Sequence, residues 1–461
     1  MGLLDRIAVL LPEVKAPTGR LGFSEKLKWT LLTLTLFFVL GRIPLFGLGE
    51  NALQQFEFLS IILGASFGSI ISLGIGPLVT SSIVLQLLAG TGMLKIDTHT
   101  PEGRRRFAGL QKILSLVFIV LEAGIYVLMG GLAPSSTLIG TPAFVQFEMI
   151  LIFQLILGGL MIMFMDEVIS KWGFGSGISL FIAAGVAQEI FIRAFNFLPS
   201  PNQPDIAAGA VPALFQSLSN GDATTAALML AALVSTVLVF AVSVFAQAMK
   251  VEIPLSFGRV RGYSVRWPLS FLYTSNMPVI LVAALMANIQ LFARLFENWG
   301  YPILGTFSNG SPTSGVVFWL SAPNLLEGII TGSFSATMLG QAALYTLVMV
   351  LGSVMFAIFW VQTAGMDAQS QAKQILASGL QMQGFRRDDR VLEKVLSRYI
   401  WPLTIIGGAC VGLLAALADL TGALSQGTGI LLTVMIVYKL YEEIAKQHMG
   451  DMNPGLRKMM E

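Results

Sequence analysis

Long apolar runs separated by short polar stretches dominate the chain. Runs of membrane-crossing length occupy 29–48, 73–93, 107–130, 143–165, 176–198, 224–249, 268–292, 339–362, 402–420 and 428–445. A bilayer core about 30 Å thick takes roughly 20 apolar residues in a helix, so the pattern predicts ten spans and an all-α polytopic membrane fold. Two further apolar pieces, 56–71 and 316–334, are short or broken by Gly, Ser and Pro. The first apolar stretch, Leu3 to Leu11, contains Asp5 and Arg6, and no small-residue cleavage site follows. It reads as an amphipathic helix on the membrane surface and not as a cleaved signal.

Charge between the runs fixes the topology. With ten spans, 25 of the 28 Lys and Arg fall on one side, leaving Arg42, Arg193 and Arg294 for the other. By the positive-inside rule the 25 face the cytoplasm, so both termini are expected there. If 316–334 also crossed, the split would be 15 against 13, so both short pieces are expected to re-enter or lie on the surface, shielded by protein. Trp29, Trp172, Trp267 and Trp401 each fall at an expected cytoplasmic helix end, where an aromatic belt belongs.

Composition narrows the class. Of 461 residues 55% are hydrophobic and 12% charged, about half the charge of a soluble domain, which excludes soluble enzymes and disulfide scaffolds. Cys410 is the single cysteine and sits in an apolar run; His99 and His448 lie in charged sequence, which excludes a His metal site or an intramembrane His relay. No Gly-Lys dipeptide occurs, so no Walker A phosphate loop exists. No metal, cofactor or catalytic activity is expected.

Ten spans divide into five and five around the Pro-rich stretch Pro199 to Asp205. The expected halves are 1–198 and 224–461, joined by an external hinge loop, 199–223. An odd number of spans per half forces opposite orientations, the precondition for an inverted repeat with a site between the halves; the sequence carries no convincing internal repeat. The piece at 56–71, with Ser60, Gly64, Ala65, Ser66 and Gly68, precedes Gly74 and Gly76-Pro77. It reads either as a re-entrant half-helix lining a pathway or as a packed external cap. Glu122, in the third span, is the only acid or base near mid-bilayer in any span; a functional carboxyl and a hydrogen-bonded structural one both fit. The large cytoplasmic features are loops around 250–267 and 366–400, whose arginines suit phosphate, in ribosomal RNA or lipid headgroups.

Leu73-Gly-Ile-Gly-Pro-Leu-Val-Thr with Ile83-Val-Leu-Gln-Leu-Leu, the stretch from Met165-Asp-Glu-Val to Gly177-Ile-Ser-Leu-Phe-Ile, and Val251-Glu-Ile-Pro-Leu-Ser-Phe-Gly-Arg resemble the SecY family, the central subunit of the protein-conducting channel. Ser275-Asn-Met-Pro-Val-Ile, Gly384-Phe-Arg and Gly427-Thr-Gly-Ile-Leu-Leu-Thr add to these. They span nearly the whole chain, and the Glu-Ile-Pro form is similar to the archaeal and eukaryotic branch. Trp401-Pro402 departs from the paired prolines usual at that place.

The resemblance implies two inverted five-helix halves closing like a clamshell around an hourglass pore. It makes 56–71 the plug. It implies a constriction ring of Ile75, Val79, Ile178, Ile182, Ile280 and Leu432, all aliphatic here. It assigns Thr80, Glu122 and Asn288 to a polar cluster on a lateral gate, and Arg259, Arg261 and Arg386 to ribosome docking. The implied partners are a small SecE or gamma-type subunit, a beta-type subunit, the ribosome, a nascent polypeptide with its signal sequence, and membrane lipids. The implied place is the cytoplasmic membrane.

Two other classes are open to a ten-span chain. A secondary transporter also uses inverted five-helix repeats, but scarce intramembrane charge weighs against it. A passive solute channel would conduct steadily at rest, which an aliphatic ring and a plug would prevent.

Overall fold

The computed structural model describes residues 12–19, 21–49, 68–90, 93, 100–128, 131–199, 206–257, 264–274, 277–308, 311–377, 380–381, 389–425 and 427–452. Each of the ten predicted runs contains a helix: α1 (Phe23–Leu40), α2 (Gly76–Gly90), α3 (Pro101–Leu128), α4 (Pro142–Trp172), α5 (Gly177–Phe195), α7 (Ala223–Ala248), α8 (Met277–Asn298), α11 (Ala336–Thr363), α13 (Asp389–Leu420) and α14 (Gly427–Met452). Seven of these are long and apolar enough by themselves to cross a membrane. The exceptions have local causes. Helix α1 carries Glu25, Lys26 and Lys28, α2 has 15 residues, and α14 is interrupted by Lys439, Glu442 and Glu443.

The piece at 316–334 forms two short helices, α9 (Gly315–Trp319) and α10 (Leu325–Thr331), neither long enough to cross. Its non-crossing reading therefore holds. The hinge stretch is more ordered than a loop. Within it α6 (Ala210–Asn220) ends at Gly221 in the left-handed region (φ 76°), and Asp222 caps α7 through the amides of Thr224 and Thr225. The Thr225 hydroxyl, together with these amides, holds the Asp222 carboxyl below its usual range.

Burial separates interior from periphery. Only 11% of the α7 window is buried, against 72% for α8, so α8 runs through the middle of the bundle while α7 presents Val237, Phe240 and Phe245 outward. An apolar face is what lipid requires. Helices α11 and α13 pack where Gly408 and Gly412 let the backbones approach: a Cβ at Gly412 would lie 2.7 Å from the Met349 carbonyl oxygen. Small residues at i, i+4 are the membrane solution to close helix contact.

The seventh span starts later than the pattern predicts. Residues 268–270 belong to a hairpin, β1 (Lys250–Phe257) and β2 (Ser264–Ser270), with Pro268 opposite Glu252 and Trp267 opposite Ile253. Pro268 sits on an edge strand, where a missing N–H costs no ladder bond. A third strand, β3 (Leu380–Gln381), pairs with the last two residues of β1. This sheet, α12 (Ala368–Ala377) and the start of α13 share one apolar core that includes Ile253, Leu269, Ile375, Leu392 and Leu396. The described parts of the loops around 250–267 and 366–400 are thus one folded module. It is tied to α14 by the Lys250–Glu442 ion pair at 2.8 Å, which raises the Lys250 pKa.

An N-terminal strap crosses the opposite half. The Val14 amide donates to Glu167 (2.9 Å), Lys171 pairs with Glu13 (2.5 Å), and Lys112 of α3 pairs with Glu167 of α4 and donates to the Pro12 carbonyl. The Trp172 indole donates to the Lys15 carbonyl and its ring lies 5.5 Å from Trp29. The stretch Leu3 to Leu11 lies outside the described residues.

Candidate functional site

Four helix starts meet in one packed cluster. Ile75 immediately precedes α2 and Val79 is its fourth residue; Ile178 and Ile182 are residues two and six of α5. Ile280 is the fourth residue of α8 and Leu432 the sixth of α14. Ile75, Val79, Ile182, Ile280 and Leu432 are at most 6% exposed in a single core cluster, with Ile178 packed against it. That cluster also takes in residues well away from these helix starts, such as Phe37, Ile169 and Phe356.

Helix starts are awkward in an apolar setting, because the first four N–H groups lack intrahelical partners. Two of the four starts place Pro second, Pro77 in α2 and Pro278 in α8. Pro has no N–H to satisfy and its φ suits a helix start. Each Pro is followed two residues later by a ring residue, Val79 or Ile280.

Beside the ring, a polar chain crosses three helices. The Asn288 amide of α8 donates to Thr80 Oγ1 of α2 at 3.1 Å, and Thr80 donates to Glu122 Oε1 of α3 at 3.1 Å or to the Gly76 carbonyl at 2.9 Å. Glu122 is buried, 6% exposed. The sequence placed Thr80, Glu122 and Asn288 correctly as neighbours. It missed Ser81 and Ser115, both buried, whose hydroxyls form a second link between α2 and α3 at 2.7 Å; two serines in apolar runs give no sequence signal of pairing.

The links are unequal. Among the described residues, two side-chain hydrogen bonds join α2 to α3 and one joins α2 to α8. On that side Ile119, Ala123 and Tyr126 of α3 also cluster with Ala287 and Leu291 of α8, and the buried Arg294 of α8 lies close enough to the Tyr126 hydroxyl to interact with it electrostatically. Helix α2 also packs on α11.

Of the segment expected to form the plug, Ser60, Gly64, Ala65 and Ser66 lie outside the described residues. Gly68 is described, in the left-handed region (φ 81°), with its carbonyl accepting from the Leu45 amide at 2.8 Å. The Ile70 amide donates to the Ile43 carbonyl at 3.0 Å, so the chain re-enters antiparallel to 43–45. Arg259, Arg261 and Arg386 also lie outside the described residues. Strands near them in sequence, β1 and β3, meet at one end of the three-stranded sheet.

Comparison with known proteins agrees along the chain. The SecY family profile matches residues 69–441, and a profile described as the plug domain of Sec61p matches residues 36–68. The protein translocase subunit SecY of Methanothermobacter thermautotrophicus is 47% identical over 455 residues, covering 98% of this chain and 97% of that one. That of Pyrococcus furiosus is 42% identical, covering 100% and 99%. A solved structure described as a protein conducting channel superposes with a TM-score of 0.85 at 39% identity, covering 98% and 99%. Sec61 in the canine ribosome–channel complex from the endoplasmic reticulum gives 0.81 at 39%, with the same coverage. With a family profile over most of its length and relatives above 40% identity end to end, this multi-pass membrane chain belongs to the SecY family.

Proposed function

We propose that the chain is the pore-forming subunit of a protein-conducting channel in the cytoplasmic membrane, with both termini in the cytoplasm. It translocates polypeptides that carry a signal sequence and releases membrane helices sideways into lipid. The observation that carries this reading is that six aliphatic residues at four helix starts lie in or against one buried apolar cluster, beside the hydrogen bond from Asn288 of α8 to Thr80 of α2. Branched aliphatic side chains offer no fixed hydrogen-bond pattern, so they suit a passing chain of any sequence. Closed together they exclude water and with it ions. No bond is made or broken, so the role is transport and not catalysis.

The halves 1–198 and 224–461, joined through 199–223, are the two bodies that move. The seam between α2 and α8 is the lateral gate, and Thr80, Glu122 and Asn288 set how readily it opens. The segment 56–71, with Ser60, Gly64, Ala65, Ser66 and Gly68, is the plug. The cytoplasmic module is the docking platform for a translating ribosome, with Arg259, Arg261 and Arg386 as its phosphate contacts. A docked ribosome supplies the driving force. Small gamma-type and beta-type subunits complete the complex.

Proteoliposomes containing the complete complex test the proposal. Ribosomes translating a signal-bearing reporter should deliver it to the protease-protected lumen, and deletion of the signal should abolish protection. Ion-gradient-driven uptake of a small solute without protein delivery would favour a coupled transporter; Glu122→Gln should then abolish uptake, whereas in a channel it alters gate opening only.

A further inference from the structure

The other two pore-lining helix starts, α5 and α14, are handled differently from the proline-led pair. In each, the end of the preceding helix supplies a carboxylate. Asp166 of α4 accepts from the Ile178 amide at 2.9 Å, and the Gly177 amide also donates to it. Asp419 of α13 accepts from the Thr428 amide at 2.8 Å and from the Gly427 amide. Its second oxygen takes the hydroxyls of Thr428 and, at 2.6 Å, of Tyr345. The donors are the first two residues of the helix in both cases. Four residues beyond Ile178 and Thr428 stand Ile182 and Leu432.

The backbone approach repeats as well. A Cβ on Gly177 would lie 2.6 Å from the Asp166 Cα, and one on Gly427 would lie 2.0 Å from the Ala418 carbonyl carbon. Both helices therefore begin against the helix before them, at a residue that must be Gly. Two different sequences, Gly177-Ile-Ser and Gly427-Thr-Gly, reach the same arrangement in opposite halves of the chain.

We propose that Asp166 and Asp419 are positioning residues for the constriction, each fixing the start and rotation of a pore-lining helix. A local cap fixes only where a helix begins, and Ser176, which precedes α5, makes no side-chain cap bond. A carboxylate on the neighbouring helix also fixes the turn of α5 or α14 about its axis. The geometry is unforgiving: a slip of one residue swings a side chain by about 100° and removes it from the ring. An unpaired amide in this apolar setting is costly, which holds the register.

The inference rests on the reading of the cluster as a pore constriction. Its test is resting ion leak through the complete complex in proteoliposomes with no substrate present, measured beside the thermal midpoint. Asp166→Ala and Asp419→Ala should each raise the leak about tenfold, the effect of losing one cap. Asp→Asn at either site keeps an acceptor oxygen and should stay near wild type. Gly408→Ala, whose Cβ would lie 2.9 Å from the Ala357 Cβ, loosens α13 against α11 away from either cap. It should lower the midpoint without raising the leak. Should the Ala variants fail to assemble, Asp166→Glu and Asp419→Glu keep the carboxylate but displace the anchor by a methylene, and should leak. Wild-type leak in assembled Ala or Glu variants, or leak that tracks the midpoint in Gly408→Ala too, would overturn the proposal. Failure of the pore reading itself is distinguishable, because wild-type complex would then deliver no polypeptide.

Discussion

The seam between α2 and α8 makes a quantitative prediction at Asn288, whose amide donates a hydrogen bond across it to Thr80. Losing that bond removes about 0.6 kcal/mol from the closed state, with an upper range near 1.7 for bonds between membrane helices. Thr80 is not orphaned, because its hydroxyl still donates to the Gly76 carbonyl or Glu122. Asn288→Ala thus loses the bond and gains little packing, so the gate should open about two- to fivefold more readily. Asn288→Leu loses the same bond but adds apolar surface to a half-buried seam. Half of the roughly 1.5–3 kcal/mol for full burial of Leu outweighs the bond. The gate should then open less readily, by up to about fivefold. The two variants therefore move in opposite directions. The assay is the ratio of translocation for reporters with full-length and shortened signal-sequence cores, since a weak signal reads the gate most sensitively. Equal shifts in one direction, or none, would refute the seam as the element that opens.

Three further outcomes follow from the geometry. Replacing Ile182 and Leu432 together by Ser should raise resting ion conductance, because hydroxyls keep the constriction wet; unchanged single-channel conductance would remove the cluster from the permeation path. Gly158→Ala should prevent stable folding, since its Cβ would lie 1.9 Å from the Ile70 carbonyl oxygen, and overpacking by a methyl group typically costs about 1–3 kcal/mol even where neighbours can move; a wild-type thermal midpoint would contradict it. The N-terminal strap should loosen in acid. The hydrogen bond and charge of Lys171 lower the Glu13 pKa, so the pair contributes above the ordinary carboxylate range and is lost as pH falls through the lowered value. Glu13 is 69% exposed, so the contribution is under about 1 kcal/mol. Proteolysis near Pro12 should accelerate on acidification, and Lys171→Ala should remove that dependence.

Much of the fold was legible because a bilayer imposes a length and a charge rule on each span. Every predicted run holds a helix, and 316–334 was rejected as a span by loop charge alone. The ring and gate residues came from resemblance; Thr80, Glu122 and Asn288 are hydrogen-bonded to one another, and the aliphatic six share one large buried cluster or pack on it. What stayed hidden was contact between distant segments. Trp267-Pro268-Leu269-Ser270 reads as the start of an apolar helix, yet its partners are Lys250–Ile253, and only pairing makes it a strand. The two cytoplasmic loops read as separate, because nothing in either announces the shared core of Ile253, Ile375 and Leu396. Asp166 and Asp419 sit near helix ends, where an acid ordinarily meets water. Their role appears only when the amides of Ile178 and Thr428 are seen against them, although the spacing of each Asp before a Gly-led helix was there to find.

The most direct test of the central claim places a photoreactive residue at Ile178 of the complete complex and adds ribosomes stalled on a nascent chain. The account predicts adducts to the nascent chain when a signal sequence is present and none when it is deleted. Absence of adducts with ribosomes demonstrably bound would contradict it, because a translocating polypeptide would then pass elsewhere than between Ile178 and its five neighbours in the ring.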